Sequence, residues 1–189
     1  NTGSFSFYPS KNIGCYGDGG AITTNDSNLN EKARSIRHYG NGGPAGINSR
    51  LATIQAAVLR KKLPYLDVWN EKRRQNALIY KENLRDLPIK FFDSLENTTS
   101  VYYLFVMKTQ QRDELILHLT TKGIEARIHF APPFHLMDTF ASSGFKKGDF
   151  PAAEKLADEV ISIPMHPFMA KDDIDYISGE IRRYFVFVD

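Results

Sequence analysis

A proline at position 64 interrupts a helical stretch and constrains how this 189-residue chain can fold. The stretch begins near Ser49 and carries an apolar stripe at helical spacing, formed by Leu51, Ile54 and Val58. Because proline lacks an amide hydrogen and its ring clashes with the preceding turn, Pro64 breaks or kinks the helix. We therefore expect a domain boundary here, with residues 1–64 in one part and residues 65–189 in a separate αβ unit.

The part after Pro64 alternates predicted helices and strands, which is typical of a small αβ domain. Its first helix ends before Pro88 and turns four side chains inward: Trp69, Ala77, Tyr80 and Leu84. The later elements are predicted as strands at 101–109, 124–130 and 161–163, with helices at 113–121 and 152–160. A last helix has one apolar face, formed by Ile174, Ile177, Ile181 and Tyr184. Residues 101–189 should therefore be the best-packed part of the chain.

The part before Pro64 opens with two predicted strands that flank a glycine-rich loop. Residues 4–8 alternate polar and aromatic side chains, as a strand does, until Pro9 ends the pattern. Residues 21–24 form the second strand, and the loop at 11–20 contains four glycines. Glycines in such number allow tight turns and close approach of the backbone to a ligand.

A helix is predicted after the second strand. Asp26 or Ser27 can cap its start, and it should run to about Tyr39 with Gly40 as its stop. The segment 40–46 contains four glycines and a proline, so we expect a loop with a function of its own.

Composition excludes several classes of function. A net charge of +2 gives no electrostatic reason to expect binding to nucleic acid or to a membrane surface. No run of about 18 apolar residues exists, so no membrane span is predicted. The single cysteine, Cys15, excludes an internal disulfide framework and fits a reducing compartment such as the cytoplasm. His129 and His135 lack a third ligand at a recognisable spacing, so no metal site is expected.

Lys11 is the residue whose surroundings suggest chemistry. It follows a strand directly and precedes the glycines, so its amine can be held at a site. A lysine held in this way can attack a carbonyl group as a nucleophile. Ser6, at the strand, offers a hydroxyl that could bond a phosphate. These features alone do not separate a functional lysine from a surface lysine, and residues 14–17 lack the order of a dinucleotide fingerprint.

Several motifs together resemble the DegT/StrS family of sugar-nucleotide aminotransferases, and they occur in the family's order across nearly the whole chain. Those near the lysine are Ser6-Phe7-Tyr8-Pro9-Ser10-Lys11-Asn12-Ile13-Gly14 and Gly17-Asp18-Gly19-Gly20-Ala21. A second set is Gly46-Ile47-Asn48-Ser49-Arg50-Leu51 with Ile54-Gln55-Ala56-Ala57. The last are Gly123-Ile124, His129-Phe130-Ala131-Pro132-Pro133-Phe134-His135, Phe150-Pro151-Ala152-Ala153-Glu154 and Ser162-Ile163-Pro164-Met165-His166-Pro167.

The resemblance implies a fold-type-I α/β enzyme, with part of a large domain and a small carboxy-terminal domain. Such enzymes use pyridoxal 5'-phosphate, usually as homodimers with active sites at the subunit interface. Lys11 matches the lysine that carries the cofactor as a Schiff base and shuttles a proton, and Ser6 matches a hydroxyl that holds its phosphate. Asn48 matches a residue that reaches the phosphate across the dimer interface. Arg50 matches a candidate ligand for the amino donor's carboxylate, and His129 matches a position near the sugar.

Two of these residues have plainer alternatives. Asn48 could simply cap the helix that follows it, and His129 could be a structural histidine. Two other positions depart from the family. Tyr103 stands where many relatives carry histidine, and Phe130 stands where tyrosine is common. Both departures concern substrate preference rather than the class of reaction.

The lysine at position 11 favours transamination, because the dehydratases of this family carry histidine there. The implied reaction moves an amino group from an amino acid, expected to be glutamate, to a keto sugar attached to a nucleoside diphosphate. The cofactor performs the carbanion chemistry, and the protein supplies position and electrostatics.

One segment of the family pattern is missing from this sequence. It precedes the lysine strand and supplies the acid that pairs with the pyridine nitrogen and the aromatic ring that stacks on the cofactor. We therefore expect the chain to be a fragment that by itself neither holds the cofactor tightly nor turns over. The rival interpretation is a non-catalytic association module without cofactor, built from the small αβ domain and a dimerising helical arm.

Overall fold

A computed structural model describes residues 1–41 and 43–187. Gly42, in the predicted 40–46 loop, and Val188 and Asp189, at the end of the predicted second domain, lie outside the described residues. The chain separates into two compact units, Asn1–Trp69 and Asn70–Asp189.

The first unit is a two-stranded sheet with two helices. Its elements are strands β1 (Thr2–Ser6) and β2 (Gly20–Thr24), helices α1 (Ser27–Arg37) and α2 (Thr53–Lys62), and a 3₁₀ turn at Leu63–Tyr65 that contains the proline. The strands pair antiparallel, with Ser6 opposite Gly20 and Thr2 opposite Thr24. The sheet therefore brings the two ends of the glycine-rich loop together.

The bounds of the two helices differ from the predicted ones for local reasons. Asp26 caps α1 as predicted, since its side chain accepts a hydrogen bond from the Leu29 amide at 3.0 Å. Helix α1 ends two residues early because Tyr39 has a φ of 63°, a left-handed conformation that cannot continue a helix. Helix α2 begins at Thr53 and not near Ser49, because Ala52 still has an extended conformation with a ψ of 141°.

The first unit has little core of its own. Helices α1 and α2 contain no buried residue. Among the described residues of this unit, Cys15 alone has a buried apolar side chain. The apolar stripe predicted on α2 is not covered within the described chain, since Ile54 is 70% exposed. Burial of such a side chain stabilises a fold by roughly 1.5–3 kcal/mol. The exposed side chains of the first unit do not contribute this stabilisation.

The second unit is a three-stranded antiparallel sheet covered by helices. Helix α3 begins in the first unit and continues into the second. The elements are α3 (Leu66–Asn83), β3 (Lys90–Phe91), β4 (Phe105–Lys108), α4 (Arg112–Thr121), 3₁₀ turns at Phe134–Leu136 and Asp138–Ser143, α5 (Pro151–Glu159), β5 (Val160–Ile163) and α6 (Lys171–Phe187). The strand order is β3-β4-β5.

Two strands of this unit are shorter than predicted. The segment 124–130 forms a single bridge, in which Arg127 and Ser162 exchange two backbone hydrogen bonds. It does not extend further because Phe130 has a φ of 62° and the next two prolines lack an amide hydrogen. The strand predicted at 101–109 shortens to β4, because Tyr102 has a φ of 41°.

The buried core lies in the second unit, as predicted. All four residues of the predicted apolar face on α6 are buried: Ile174, Ile177, Ile181 and Tyr184. Three of the side chains predicted to point inward are also buried: Ala77 and Tyr80 on α3, and Leu84 directly after its end. Trp69, predicted to join them, instead lies in the first unit, half-buried and stacked on Tyr65 at 5.8 Å between ring centroids. Within the described ranges, no helix is both long enough and apolar enough to cross a membrane.

Tyr80 should make the stability of the second unit sensitive to alkaline pH. Its ring stacks on Phe105 at 5.0 Å, and its hydroxyl donates to the Pro164 carbonyl at 3.0 Å. Burial raises the pKa of the Tyr80 hydroxyl, and the negative charge of Asp173 raises it further. The folded chain therefore keeps a proton that the unfolded chain releases above about pH 10, so this stabilisation is complete below that pH and is lost above it.

We expect Tyr80→Phe to cost about 1–2 kcal/mol of unfolding free energy at neutral pH, because the Pro164 carbonyl loses its donor. Above about pH 10, the gap between wild type and variant should narrow by up to about 1.4 kcal/mol per pH unit. Urea denaturation of both proteins at neutral pH and at alkaline pH measures this difference. A gap that stays constant with pH would contradict the prediction.

Candidate cofactor site

Lys11 lies in a loop that is closed at its base by backbone hydrogen bonds. We call residues 7–19 the lysine loop. The Phe7 amide donates to the Gly19 carbonyl at 2.8 Å, and the Cys15 amide donates to the Phe7 carbonyl at 2.8 Å. Inside the loop, the Lys11 amide donates to the Tyr8 carbonyl at 2.9 Å and forms a turn. Lys11 is half-buried, so part of the residue lies out of solvent.

The loop is tight because two glycines leave no room for a side chain. A Cβ atom on Gly14, which is buried, would lie 2.4 Å from the Pro9 carbonyl oxygen. On Gly19, it would lie 2.9 Å from the sulfur of Cys15. At Gly14 the neighbouring atom belongs to the backbone, so a side chain there would force the chain to change its path. At Gly19 the neighbours are side-chain atoms, so this glycine permits tight side-chain packing inside the loop.

Ser6 ends strand β1 immediately before the lysine loop. Its Oγ is exposed and accepts a hydrogen bond from the Tyr8 amide at 3.2 Å. A hydroxyl that accepts one bond still has its own proton to donate. The structure therefore places an exposed hydroxyl donor and the Lys11 amine on the same short stretch of chain.

Asn48 and Arg50 lie together on the segment that leads into α2. Arg50 Nε donates to Asn48 Oδ1 at 3.0 Å, and the Arg50 guanidinium lies 5.9 Å from the centroid of the Tyr39 ring. Both residues are exposed. The alternative role of Asn48 as a helix cap is wrong, because Ala52 occupies the N-cap of α2 and no side chain caps it.

A close backbone contact holds this segment against the end of α1. The Ile47 amide donates to the Ile36 carbonyl at 2.9 Å, and His38 and Asn48 form an isolated antiparallel bridge. A Cβ atom on Gly46 would lie 2.2 Å from the Ile36 carbonyl oxygen. Gly46 is thus required for the approach that positions Asn48.

Helix α2 contributes two contacts to the lysine loop that the sequence did not reveal. Gln55 Oε1 accepts a hydrogen bond from the Tyr16 amide at 2.8 Å. Lys62 Nζ donates to the Gly14 carbonyl at 2.6 Å. The only signal in the sequence is their seven-residue spacing, which places two polar residues on one helix face. Nothing in that spacing identifies the loop as their partner.

His129 lies in the second unit and lines a cavity there. The cavity has a volume of about 520 Å³, within the usual range of small-molecule sites. His129 Nδ1 lies 2.9 Å from Ser162 Oγ. The cavity wall is mostly apolar and includes Leu104, Val106, Phe130, Phe134, Phe150 and Leu156.

A second histidine of this cavity, His135, pairs with Glu154 near the start of α5. His135 Nε2 lies 2.9 Å from Glu154 Oε1, and both side chains are nearly buried. The same carboxylate accepts hydrogen bonds from the amides of Gly148 and Phe150. The bond from His135, with help from these amides, holds the pKa of the Glu154 carboxyl below its usual range against the opposing effect of burial. Glu154 thus ties the surrounding loop to the helix, a role that its motif did not suggest.

Four of the five predicted site residues belong to the first unit, and His129 belongs to the second. In the part of the chain that the structure describes, no group of three His, Cys, Asp or Glu side chains could hold a metal ion. The first unit carries an amine and a hydroxyl on one segment and an amide and a guanidinium on another, all groups that can bind an anionic organic ligand.

Comparison with known proteins gives consistent matches. The model of the DegT/DnrJ/EryC1/StrS aminotransferase family matches residues 1–182. The chain is 40% identical over 188 residues to the erythromycin biosynthesis sensory transduction protein EryC1 of Saccharopolyspora erythraea, covering 96% of this chain and 51% of that protein. It is 39% identical over 192 residues to the dTDP-3-amino-3,4,6-trideoxy-alpha-D-glucose transaminase of Streptomyces venezuelae, covering 98% and 51%.

Solved structures match the fold of the chain as well. The crystal structure of S. venezuelae DesV in complex with a ketimine intermediate matches all of this chain (100%) and 52% of its own, with a TM-score of 0.93 and 39% identity. The predicted fold class is therefore confirmed. The chain spans about half the length of the curated relatives that it matches.

Proposed function

Because the chain belongs to the DegT/DnrJ/EryC1/StrS aminotransferase family, we propose that it is the lysine-bearing part of a pyridoxal-phosphate-dependent aminotransferase. In this proposal the substrate is a keto sugar linked to a nucleoside diphosphate, and the amino donor is glutamate. The observation that carries it is the closed lysine loop, which contains the half-buried Lys11 and directly follows Ser6 with its exposed hydroxyl.

The residues of the first unit fit this cofactor. Ser6 Oγ keeps a proton for a phosphate oxygen. Gly14 fixes the path of the loop that carries Lys11, because a Cβ atom at this position would lie 2.4 Å from the Pro9 carbonyl oxygen. Asn48 offers an amide for the phosphate, and we propose that it does so across a homodimer interface.

Pyridoxal phosphate, when bound, supplies an electron sink for carbanion chemistry. The protein contributes position and proton transfer. Lys11 would attach the cofactor through Nζ, and the same atom would carry the proton to and from the substrate carbon. Arg50 would pair with the carboxylate of the amino donor, for which a planar guanidinium is suited. His129 would lie near the sugar.

The nature of the substrate rests on the relatives. The S. venezuelae transaminase is named for a dTDP-linked amino sugar. We propose a substrate of the same chemical class and leave the sugar, ring position and nucleotide open. We also place the protein in the cytoplasm, because its single cysteine is a free and buried thiol.

A second candidate function, an association module without cofactor, has one observation in its favour. The first unit exposes large apolar side chains, among them Phe5, Ile22, Ile54 and Leu63. Such a surface is typical of protein interfaces. Covalent labelling of Lys11 distinguishes the two functions, because an association module has no need of a selective lysine.

The experiment is reductive labelling of the purified chain with pyridoxal phosphate and borohydride, followed by peptide mapping. We expect Lys11 to be labelled about tenfold more than the exposed Lys61, a preference that corresponds to about 1.4 kcal/mol. Tight binding is not needed, since reduction accumulates label from a weakly populated complex. The purified chain alone is not expected to transfer an amino group.

Lys11→Arg is the matched variant for this experiment. It keeps the positive charge but should abolish the label on its own peptide and leave the other lysines unchanged. Labelling spread evenly over the lysines of the wild-type chain would overturn the proposed function in favour of the association module.

A further inference from the structure

Two side chains of α2 hold the lysine loop on either side of Cys15. Gln55 accepts a hydrogen bond from the Tyr16 amide at 2.8 Å, and Lys62 donates to the Gly14 carbonyl at 2.6 Å. Lys62 Nζ also lies 4.7 Å from the centroid of the Tyr16 ring. The two residues are seven positions apart, so they face the loop from the same side of the helix, about 10 Å apart along its axis.

Both contacts are made to backbone atoms, so they fix the course of the loop itself. Between them, the Cys15 amide donates to the Phe7 carbonyl at 2.8 Å. Three consecutive residues of the loop are thereby anchored, and the Cys15 side chain is only 1% exposed. The bond from Lys62 carries a charge on its donor, which makes it stronger than a bond between neutral groups.

We propose that Gln55 and Lys62 are positioning residues for Lys11. They hold the lysine loop in the shape that presents the Lys11 amine to the cofactor, and they act through the backbone of residues 14–16. The inference rests on the proposed function of Lys11. The contacts themselves, which we call the loop clamp, are a property of the structure.

The clamp also ties the loop to Asn48 and Arg50. These two residues directly precede α2, and Gln55 lies in the first turn of that helix. A helix moves as a rigid element over two turns, so the position of α2 sets both the lysine loop and this segment. In the proposed enzyme, the clamp coordinates the residue that carries the cofactor with the residues that bind phosphate and donor carboxylate.

The first test uses the chain's only cysteine as a reporter of loop opening. The buried Cys15 thiol should react slowly with an aromatic disulfide reagent, because the loop must open first. Gln55→Leu and Lys62→Met, made separately, should each raise the reaction rate about tenfold, the factor that corresponds to about 1.4 kcal/mol. The matched control Lys61→Met, on the exposed side of the same helix, should leave the rate unchanged. A clamp variant that reacts no faster than the control overturns the clamp.

The second test asks whether the clamp positions Lys11 or merely stabilises the unit. Reductive labelling of Lys11 should fall about tenfold in each clamp variant. Labelling of Lys11 should stay near the wild-type level in Lys62→Arg, which keeps a charged donor, and in Gln55→Glu, which keeps an acceptor. Normal labelling of Lys11 in a variant whose thiol is exposed overturns the positioning role. A wild-type chain with a protected thiol but no preference for Lys11 overturns the proposed function, and the positioning role with it, while the clamp geometry stands.

Discussion

Replacing Gly14 with alanine is expected to abolish the selective labelling of Lys11 by pyridoxal phosphate. The added Cβ would lie 2.4 Å from the Pro9 carbonyl oxygen and 2.8 Å from that of Tyr8. Both neighbours are backbone atoms, so the loop must change its course instead of turning one side chain aside. Overpacking of this kind costs about 1–3 kcal/mol. The middle of this range exceeds the value of about 1.4 kcal/mol that corresponds to a tenfold labelling preference, so the preference should be lost.

Hydrogen exchange read by mass spectrometry gives an independent measure of the same change. Residues 7–17 should lose protection in Gly14→Ala, while residues 105–119 in the second unit should keep theirs. Gly179→Ala is the matched control, because a Cβ at this position in α6 meets nothing within 4 Å. Alanine there should stabilise the helix by about 0.5–1 kcal/mol and leave Lys11 untouched. Labelling retained in Gly14→Ala would show that the loop tolerates another path.

Arg73→Met is expected to destabilise the second unit by about 2–4 kcal/mol. Arg73 is 6% exposed, and its Nη1 donates to the carbonyls of Tyr102 and Met165, each at 3.0 Å. It thereby joins α3 to the chain before β4 and to the chain after β5. Burial lowers the pKa of the guanidinium, which reflects the cost of removing its charge from water.

The sign of this effect depends on which of two costs is larger. Methionine removes the cost of burying a charge, but it takes the Arg73 donor away from the carbonyls of Tyr102 and Met165, both of which belong to half-buried residues. Each unsatisfied acceptor costs about 1–3 kcal/mol, so we expect the loss to dominate. The adjacent Arg74 provides the control, since it is half-buried and pairs with Glu71. Arg74→Met should cost at most about 1 kcal/mol in urea denaturation. A stable Arg73→Met would mean that desolvation of the guanidinium outweighs its hydrogen bonds.

The sequence predicted those parts of the fold that depend on local periodicity. The apolar face of α6 repeats every three or four residues, and a single element carries the whole pattern. Asp26 could be recognised as a cap because its partner, the Leu29 amide, lies three residues away. In both cases the deciding interaction connects residues that are close together in the sequence.

The errors arise where a distant contact or an unusual backbone angle decides. The strand pattern at 124–130 is real, but the left-handed conformation of Phe130 stops the pairing after one bridge. The helix pattern from Ser49 is likewise real, but Asn48 pairs with His38 in a bridge and Ala52 still has an extended conformation. Strand β3 was missed because two residues are too few to show a period.

The candidate site divides in the same way. Ser6 and Lys11 lie five residues apart on one stretch of chain, so their proximity in sequence could be recognised together with the family resemblance. Gln55 and Lys62 contact the loop across 39 and 48 residues of sequence, and no local pattern records that contact. Such partners become visible only when the tertiary structure brings the backbone atoms into reach.

Different spectroscopic signals report on the two units of this protein, because the tryptophan lies in one unit and the buried core in the other. The chain has a single tryptophan, Trp69, and it lies in the first unit beside Tyr65, whereas the large buried cluster lies in the second. Far-ultraviolet circular dichroism therefore follows mainly the helices around that cluster. Tryptophan fluorescence follows the unit that contains the lysine loop. A preparation judged intact by circular dichroism alone can have lost its reactive half unnoticed, so the two signals should be recorded together.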